Sequence, residues 1–245
     1  MNIKKHIPNA ITCCNLLCGC LAIVQAFEGN LVYTAYLVGL AAIFDFFDGF
    51  AARMLKVSSA IGKDLDSLAD MVTFGVVPGM VMFQLLKTSL TIGNEDFQVF
   101  KNNSFLVYLP FIIIIFSALR LAKFNNDTRQ TESFIGLNTP ANSMVICSFP
   151  LIINQHPEIG KLLNPCVLCV LSVGLSLVLV SEIPMFSLKF KHFKWKGNEI
   201  RFIFLALSLL MLTTLQFLGI PLIIILYVLL SLLTNYLAKR KVPAE

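Results

Sequence analysis

Charge is scarce in this chain. Lysine, arginine, aspartate and glutamate supply 13% of its 245 residues, hydrophobic types supply 57%, and the mean hydropathy is +0.79. A soluble domain is about 25% charged, so a water-soluble globule is excluded and an integral membrane protein is indicated. Zinc-finger and dithiol chemistry also lack support. Cys13, Cys14, Cys18, Cys20, Cys147, Cys166 and Cys169 all fall in apolar stretches, and Cys166-x-x-Cys169 has neither a second pair nor an adjacent histidine. They read as small packing residues. Glycine/serine linkers, charge blocks and fixed-period repeats are missing too, so residues 1–245 read as one membrane domain.

What the chain has instead is a series of apolar stretches of about 20 residues, the length a helix needs to cross a bilayer. They fall near 8–27, 31–54, 66–87, 104–124, 138–155, 163–184, 200–217 and 219–238. The expected architecture is an all-α polytopic bundle of about eight transmembrane helices. With both termini in the cytoplasm, every lysine and arginine except Lys87, Lys101 and Lys161 lies on the cytoplasmic side, as the positive-inside rule requires. Basic loops beside anionic headgroups then account for the net charge of +5 without a nucleic-acid partner. Lys189, Lys191, Lys194 and Lys196, interleaved with Phe190, Phe193 and Trp195, read as an interfacial segment. Near the start, Lys4, Lys5, the apolar run and Val24-Gln25-Ala26 share the outline of a signal peptide. Asn9, Thr12 and Asn15 interrupt that run, so it is read as a retained first span.

Against this background the acids are unevenly placed. Five of the fourteen fall in one short stretch, and four form the pattern Asp45-x2-Asp48-Gly49-x2-Ala52-Arg53-x8-Gly62-x3-Asp66-x3-Asp70. Carboxylates at the edge of a hydrocarbon layer are costly unless paired, so the cluster implies bound cations. Asp45, Asp48, Gly49 and Ala52 share one helix face, and Asp66 and Asp70 share another. Two neighbouring antiparallel helices can then gather four carboxylates, which balance two divalent ions. Oxygen-only ligands favour Mg²⁺ or Mn²⁺ over zinc. Gly49 and Ala52 leave room for a phosphate-bearing ligand to approach the backbone; close helix packing is the structural alternative. Asp64 is expected to cap a helix or to form an edge salt bridge.

Two such ions suit displacement at phosphorus. Asp70, last in the pattern, is the candidate base for an entering hydroxyl. Arg53 can pair with a phosphate, and Ser59 can donate to one.

The stretch 45–70 carries every defining residue of the CDP-alcohol phosphatidyltransferase signature, and the chain resembles that family. The resemblance implies a catalytic core of about six transmembrane helices at 1–184, followed by a basic loop and two added helices at 185–245. It also implies a cytoplasm-facing dinuclear metal site, release of CMP from a CDP-linked lipid, and a homodimer. Flanking stretches resemble the phosphatidylserine synthase branch: Ile7-Pro8-Asn9, Asn15 to Gly19, Asp66 to Val76, Ala118 to Asn125, and Phe134 to Leu137 with Thr139-Pro140-Ala141. Val77, Gly79 and Asn138 depart from that branch's pattern. By position, Asp45, Asp48, Asp66 and Asp70 would hold the metals, and Gly49, Ala52, Arg53, Ser59 and Gly62 the CDP group, with Asn9 and Thr12 contributing. Arg120, Lys123 and Asn125 would hold a serine carboxylate or a lipid phosphate, or else serve as ordinary positive-inside anchors.

The branch implies CDP-diacylglycerol and L-serine as substrates and a bacterial inner membrane as the location. Glycerol 3-phosphate, inositol or an ether-lipid donor stay open as alternatives. A cation or proton transporter is the rival from another class. It calls for polar residues through the midplane and for repeated halves, and no second acidic cluster mirrors the first.

Overall fold

A computed structural model describes residues 4, 6–57, 59–92, 104–127, 134–186, 195 and 198–241. The interfacial run 189–196, apart from Trp195, lies outside them, as do Lys5, Lys101 and Arg129.

Two helices, α1 (His6–Phe27) and α2 (Leu31–Leu55), open the chain as a hairpin. Gly29 turns it at φ +80, a left-handed conformation open to a residue without a Cβ. So short a turn sends α2 back along α1, and Ala22, Ala26, Ala35 and Ala41 are buried. Lys56, at φ 53, closes α2, its N–H reaching the Arg53 carbonyl at 3.2 Å. The chain then restarts as α3 (Ala60–Asp70), capped by Ser59, whose Oγ accepts from the Gly62 N–H at 3.0 Å. Ser59 thus fills the capping role expected of Asp64, which is exposed one turn into the helix.

A π-helical segment, Met71–Val76, carries α3 without a break into α4 (Val77–Ile92). Residues 60–91 therefore form one rod of 32 residues, roughly 48 Å long at 1.5 Å per residue and longer than the ~30 Å hydrocarbon core. It begins at residue 60, not at 66 as the hydropathy implies, because the polar first turns of α3 are helical too.

A 3₁₀ segment (Ser104–Phe111) leads into α5 (Ile112–Asn126), then a two-residue strand β1 (Phe134–Ile135). Next come α6 (Thr139–Gln155), the short α7 (Pro157–Leu162) and α8 (Pro165–Val180). Strand β2 (Pro184–Met185) pairs antiparallel with β1, Phe134 opposite Met185 and Ile135 opposite Pro184. Last are α9 (Glu199–Leu215) and α10 (Gly219–Lys241), separated by a break at Gln216 with φ 50.

The most buried element is α6, with Val145, Ile146, Cys147, Phe149 and Ile152 in the core beside Val38 of α2 and Phe74, Val81 and Leu86 of the rod. The rod approaches α5 closely: a Cβ on Gly79 would lie 2.6 Å from Ile114 Cγ1.

Five stretches of the described residues are long and apolar enough to cross a membrane: 6–27, 31–55, 60–91, 105–126 and 199–237. The last holds both α9 and α10. The other two of the eight expected places are taken by α6 and α8, of 17 and 16 residues. At roughly 24–26 Å these two are shorter than the hydrocarbon layer. The chain is an all-α polytopic membrane protein, with a second correction to the expected spans. The stretch read as 163–184 stops being helical at Val180, and its end forms β2.

Candidate metal centre

Asp45 and Asp48 sit two to three turns before the end of α2, and Asp66 and Asp70 two to three turns after the start of α3. Because α2 ends at Leu55 and α3 begins at Ala60, the two pairs are about equally far from the point where the helices meet. The expectation of two directly packed helices is modified, however. It is α1 that packs along both α2 and α3, which touch each other little.

An oxygen atom from each of Asp45, Asp48 and Asp66 lies within 4.8 Å of the others. This is a set of hard donors at a spacing that can hold a hard divalent cation. Asp70 stands outside the triad but directly against Asp45. Helix α1 braces both pairs. Thr12 Oγ1 donates to Asp48 Oδ2 at 2.7 Å, and Asn15 Nδ2 reaches Asp70 Oδ1 at 3.4 Å. Asn15 is fully buried, and Asp48 and Asp70 are 6% and 9% exposed. Orientation of metal-binding carboxylates by such outer hydrogen bonds is the usual device for fixing ligand geometry.

Between the three helices opens a cavity of about 280 Å³. Asp48 and Asp66 form part of its wall, as do Gly49, Ala52, Ser59, Gly62, Asn9 and Thr12, all expected at the site. Nothing lies within 4 Å of where a Gly49 Cβ would stand, so the residue faces open space and close helix packing does not explain it. Gly62 is confined instead: its Cβ would meet Ser59 Oγ at 2.9 Å and Asn9 Oδ1 at 3.0 Å. Arg53 does not line the cavity; it is exposed, and its Nε donates to the Gly49 carbonyl at 3.0 Å.

The trio expected to bind a carboxylate or phosphate is divided. Arg120 is 4% exposed and shares a second cavity, of about 140 Å³, with Asp70, Asn138 and Thr139. Its Nε donates to the Leu137 carbonyl at 3.1 Å, and its guanidinium lies 5.5 Å from the Phe124 ring centroid. Lys123 opens onto a third cavity, of about 360 Å³, which Arg120 also borders. Asn125 faces neither. It ties α5 to α3, donating to Ser67 Oγ at 2.8 Å and accepting from Lys63 Nζ at 3.1 Å on its carbonyl.

Some contributors escaped the sequence reading as members of the site, Val57 on the cavity wall among them. Lys63, counted only as a loop cation, lines the first cavity, as does Pro8. Asn15 entered only as an interruption of an apolar run. The signal was present: Asn9, Thr12 and Asn15 recur every three residues, a polar stripe that winds along an otherwise apolar helix and needs partners inside the protein.

Residues 5–180 match the family model described as CDP-alcohol phosphatidyltransferase. Curated relatives agree. The chain is 35% identical over 204 residues to a CDP-diacylglycerol–serine O-phosphatidyltransferase of Bacillus subtilis (strain 168), covering 80% of this chain and 95% of that protein. It is 28% identical over 215 residues to the protein of that name in Helicobacter pylori (strain ATCC 700392 / 26695), covering 87% and 84%. The same name is carried by a Methanocaldococcus jannaschii protein 29% identical over 177 residues, covering 72% of each chain. With the acidic triad, the cavity it borders and a match over most of its length, this chain belongs to the CDP-alcohol phosphatidyltransferase family.

Proposed function

We propose that this protein is an enzyme that transfers the phosphatidyl group of CDP-diacylglycerol to L-serine, with release of CMP. The observation that carries this reading is the triad Asp45, Asp48 and Asp66, two of whose members, Asp48 and Asp66, line a cavity with a bare glycine edge. Relatives matched over nearly their whole length bear the name of that activity.

In this reading Asp45, Asp48, Asp66 and Asp70 hold two divalent ions, Mg²⁺ or Mn²⁺. When bound, these supply positive charge to the phosphate oxygens and to the leaving CMP. Gly49 and Ala52 let the diphosphate approach the α2 backbone, and Asn9, Ser59, Gly62 and Lys63 surround it. Arg53, fixed by the Gly49 carbonyl, adds a cation beside it. Asp70 faces the second cavity together with Arg120 and the N-terminus of α6. A serine whose carboxylate is held by Arg120 and that helix end would present its hydroxyl to Asp70. The hydroxyl oxygen attacks the phosphorus that bears diacylglycerol and its proton passes to Asp70. The bond from phosphorus to the CMP oxygen breaks, and CMP departs with that electron pair. We place the site at the cytoplasmic face of a bacterial inner membrane, in a homodimer with both termini inside. The bias of basic residues supports the orientation.

The test is CMP release by purified protein in detergent, with CDP-diacylglycerol, Mn²⁺ or Mg²⁺, and L-serine, glycerol 3-phosphate or inositol. Serine-dependent release that EDTA abolishes is expected. Release with another acceptor moves the substrate assignment, and no release with any acceptor overturns the reading.

A further inference from the structure

The hairpin α9–α10 lies beyond the residues matched by the family model, yet it is fastened to the acceptor side of the site by a ladder of polar side chains. Tyr227, Ser231 and Asn235 recur every four residues and so share one face of α10. Tyr227 donates its hydroxyl to the Phe186 carbonyl at 2.9 Å, Ser231 Oγ accepts the Phe186 N–H at 3.3 Å, and Asn235 Nδ2 donates to the Pro184 carbonyl at 2.6 Å. The Phe186 ring lies between Tyr227 and Phe204 of α9, at centroid distances of 4.8 and 5.6 Å. All three polar side chains thus grip the backbone at strand β2 and the residue that follows it.

From β2 the connection runs inward. β2 pairs with β1, and the next residues are bound to the same segment: the Gly136 N–H donates to the Ile183 carbonyl at 2.8 Å and the Leu137 N–H to the Val178 carbonyl at 3.2 Å. Gly136 has φ +76, and a Cβ there would lie 2.7 Å from the carbonyls of Leu179 and Ser181, so this strap has no lateral slack. Its last residue, Leu137, is 1% exposed and supplies the carbonyl that accepts from Arg120 Nε. Asn138 follows at once as the cap of α6, its side chain accepting from the Ala141 N–H at 3.2 Å.

We propose that α9–α10 is a positioning element for the acceptor. Through Tyr227, Ser231 and Asn235 it holds β2, the 134–137 strap and thereby the orientation of Arg120 and the start of α6. The inference rests on the reading of Arg120 and α6 as the acceptor side, and it assigns the hairpin to acceptor affinity, not to the metal or the CDP lipid.

The experiment compares full-length wild type with the triple variant Tyr227→Phe, Ser231→Ala, Asn235→Leu, measuring KM for serine and for CDP-diacylglycerol at saturating Mn²⁺. Serine KM is expected to rise roughly 10-fold, the loss of one to two net hydrogen bonds, with CDP-diacylglycerol KM within about twofold. A merely structural role would lower the active fraction and leave both KM values in place, and that result overturns the inference. If the triple variant does not fold, Asn235→Leu alone carries the same readout, with Asn235→Gln expected to restore serine KM because it keeps the donor. Arg120→Lys, run in parallel, separates the two layers. Raised serine KM in Arg120→Lys with none in the hairpin variant overturns the positioning role. Raised serine KM in the hairpin variant with none in Arg120→Lys supports that role and removes the carboxylate assignment from Arg120.

Discussion

On the triad side of Asp70, the three converging carboxylates come from the consecutive helices α2 and α3, and a third helix, α1, holds Asp48 through Thr12. On the other side, Arg120, Asn138 and Thr139 come from α5 and the start of α6, and what holds them together is a strap of backbone hydrogen bonds fastened to β2. The first half is built by helical periodicity and the second by segments far apart in the chain. Changes in the first half should therefore act through single side chains. Changes in the second should act through whatever supports the strap.

Five substitutions test that contrast. The largest effect is expected from Asp66→Asn or Asp45→Asn, which removes a charged oxygen from the triad; CMP release should fall by on the order of 10²–10³-fold or more and should not recover with excess Mn²⁺. Wild-type turnover in either variant would remove the metal role from the triad. Gly49→Leu should come next. Its side chain projects into open space, so the fold should be retained while CDP-diacylglycerol KM rises roughly 10- to 100-fold and serine KM stays put. Thr12→Val deletes the hydroxyl that orients Asp48 and should weaken the apparent Mn²⁺ affinity about 10-fold, read from a metal titration of CMP release. A serine-specific defect there would contradict the separation of the two halves. Smallest is Asn125→Ala, which removes the side-chain bond to Ser67 from the tie between α5 and α3 and leaves the carbonyl to which Lys63 donates. A loss of about 1 kcal/mol in stability with both KM values within about twofold is expected from thermal unfolding and kinetics together.

The same contrast accounts for what could be read in the chain. The stripe Asp45, Asp48, Gly49 and Ala52 was legible because spacing along a helix fixes a face without knowledge of neighbours. The open surroundings of Gly49 and its place on the cavity wall follow from that stripe. That α1 would separate α2 from α3 was not legible, since both short turns permit either arrangement, though the polar residues of α1 hinted at it. The β1–β2 pair carries no pattern, because two residues are too few for an alternation to register. Arg120, Lys123 and Asn125 looked like one group by sequence. Helical rotation and the strap send them to a cavity with Asp70, to a neighbouring cavity, and to a tie with α3.

The π-helical segment Met71–Val76 follows Asp70 directly. A helix that closes its hydrogen bonds over one more residue changes the rotation of everything beyond it. The acidic end of this rod and the glycine-bearing end that meets α5 are therefore set at a fixed angular offset, as if two helices shared one axis. The loss of a single residue between 71 and 76 would remove that offset and force the two ends to compete for one alignment. The rod works as a coupling with a built-in offset, along which the acidic end and the Gly79 end each face their own partners.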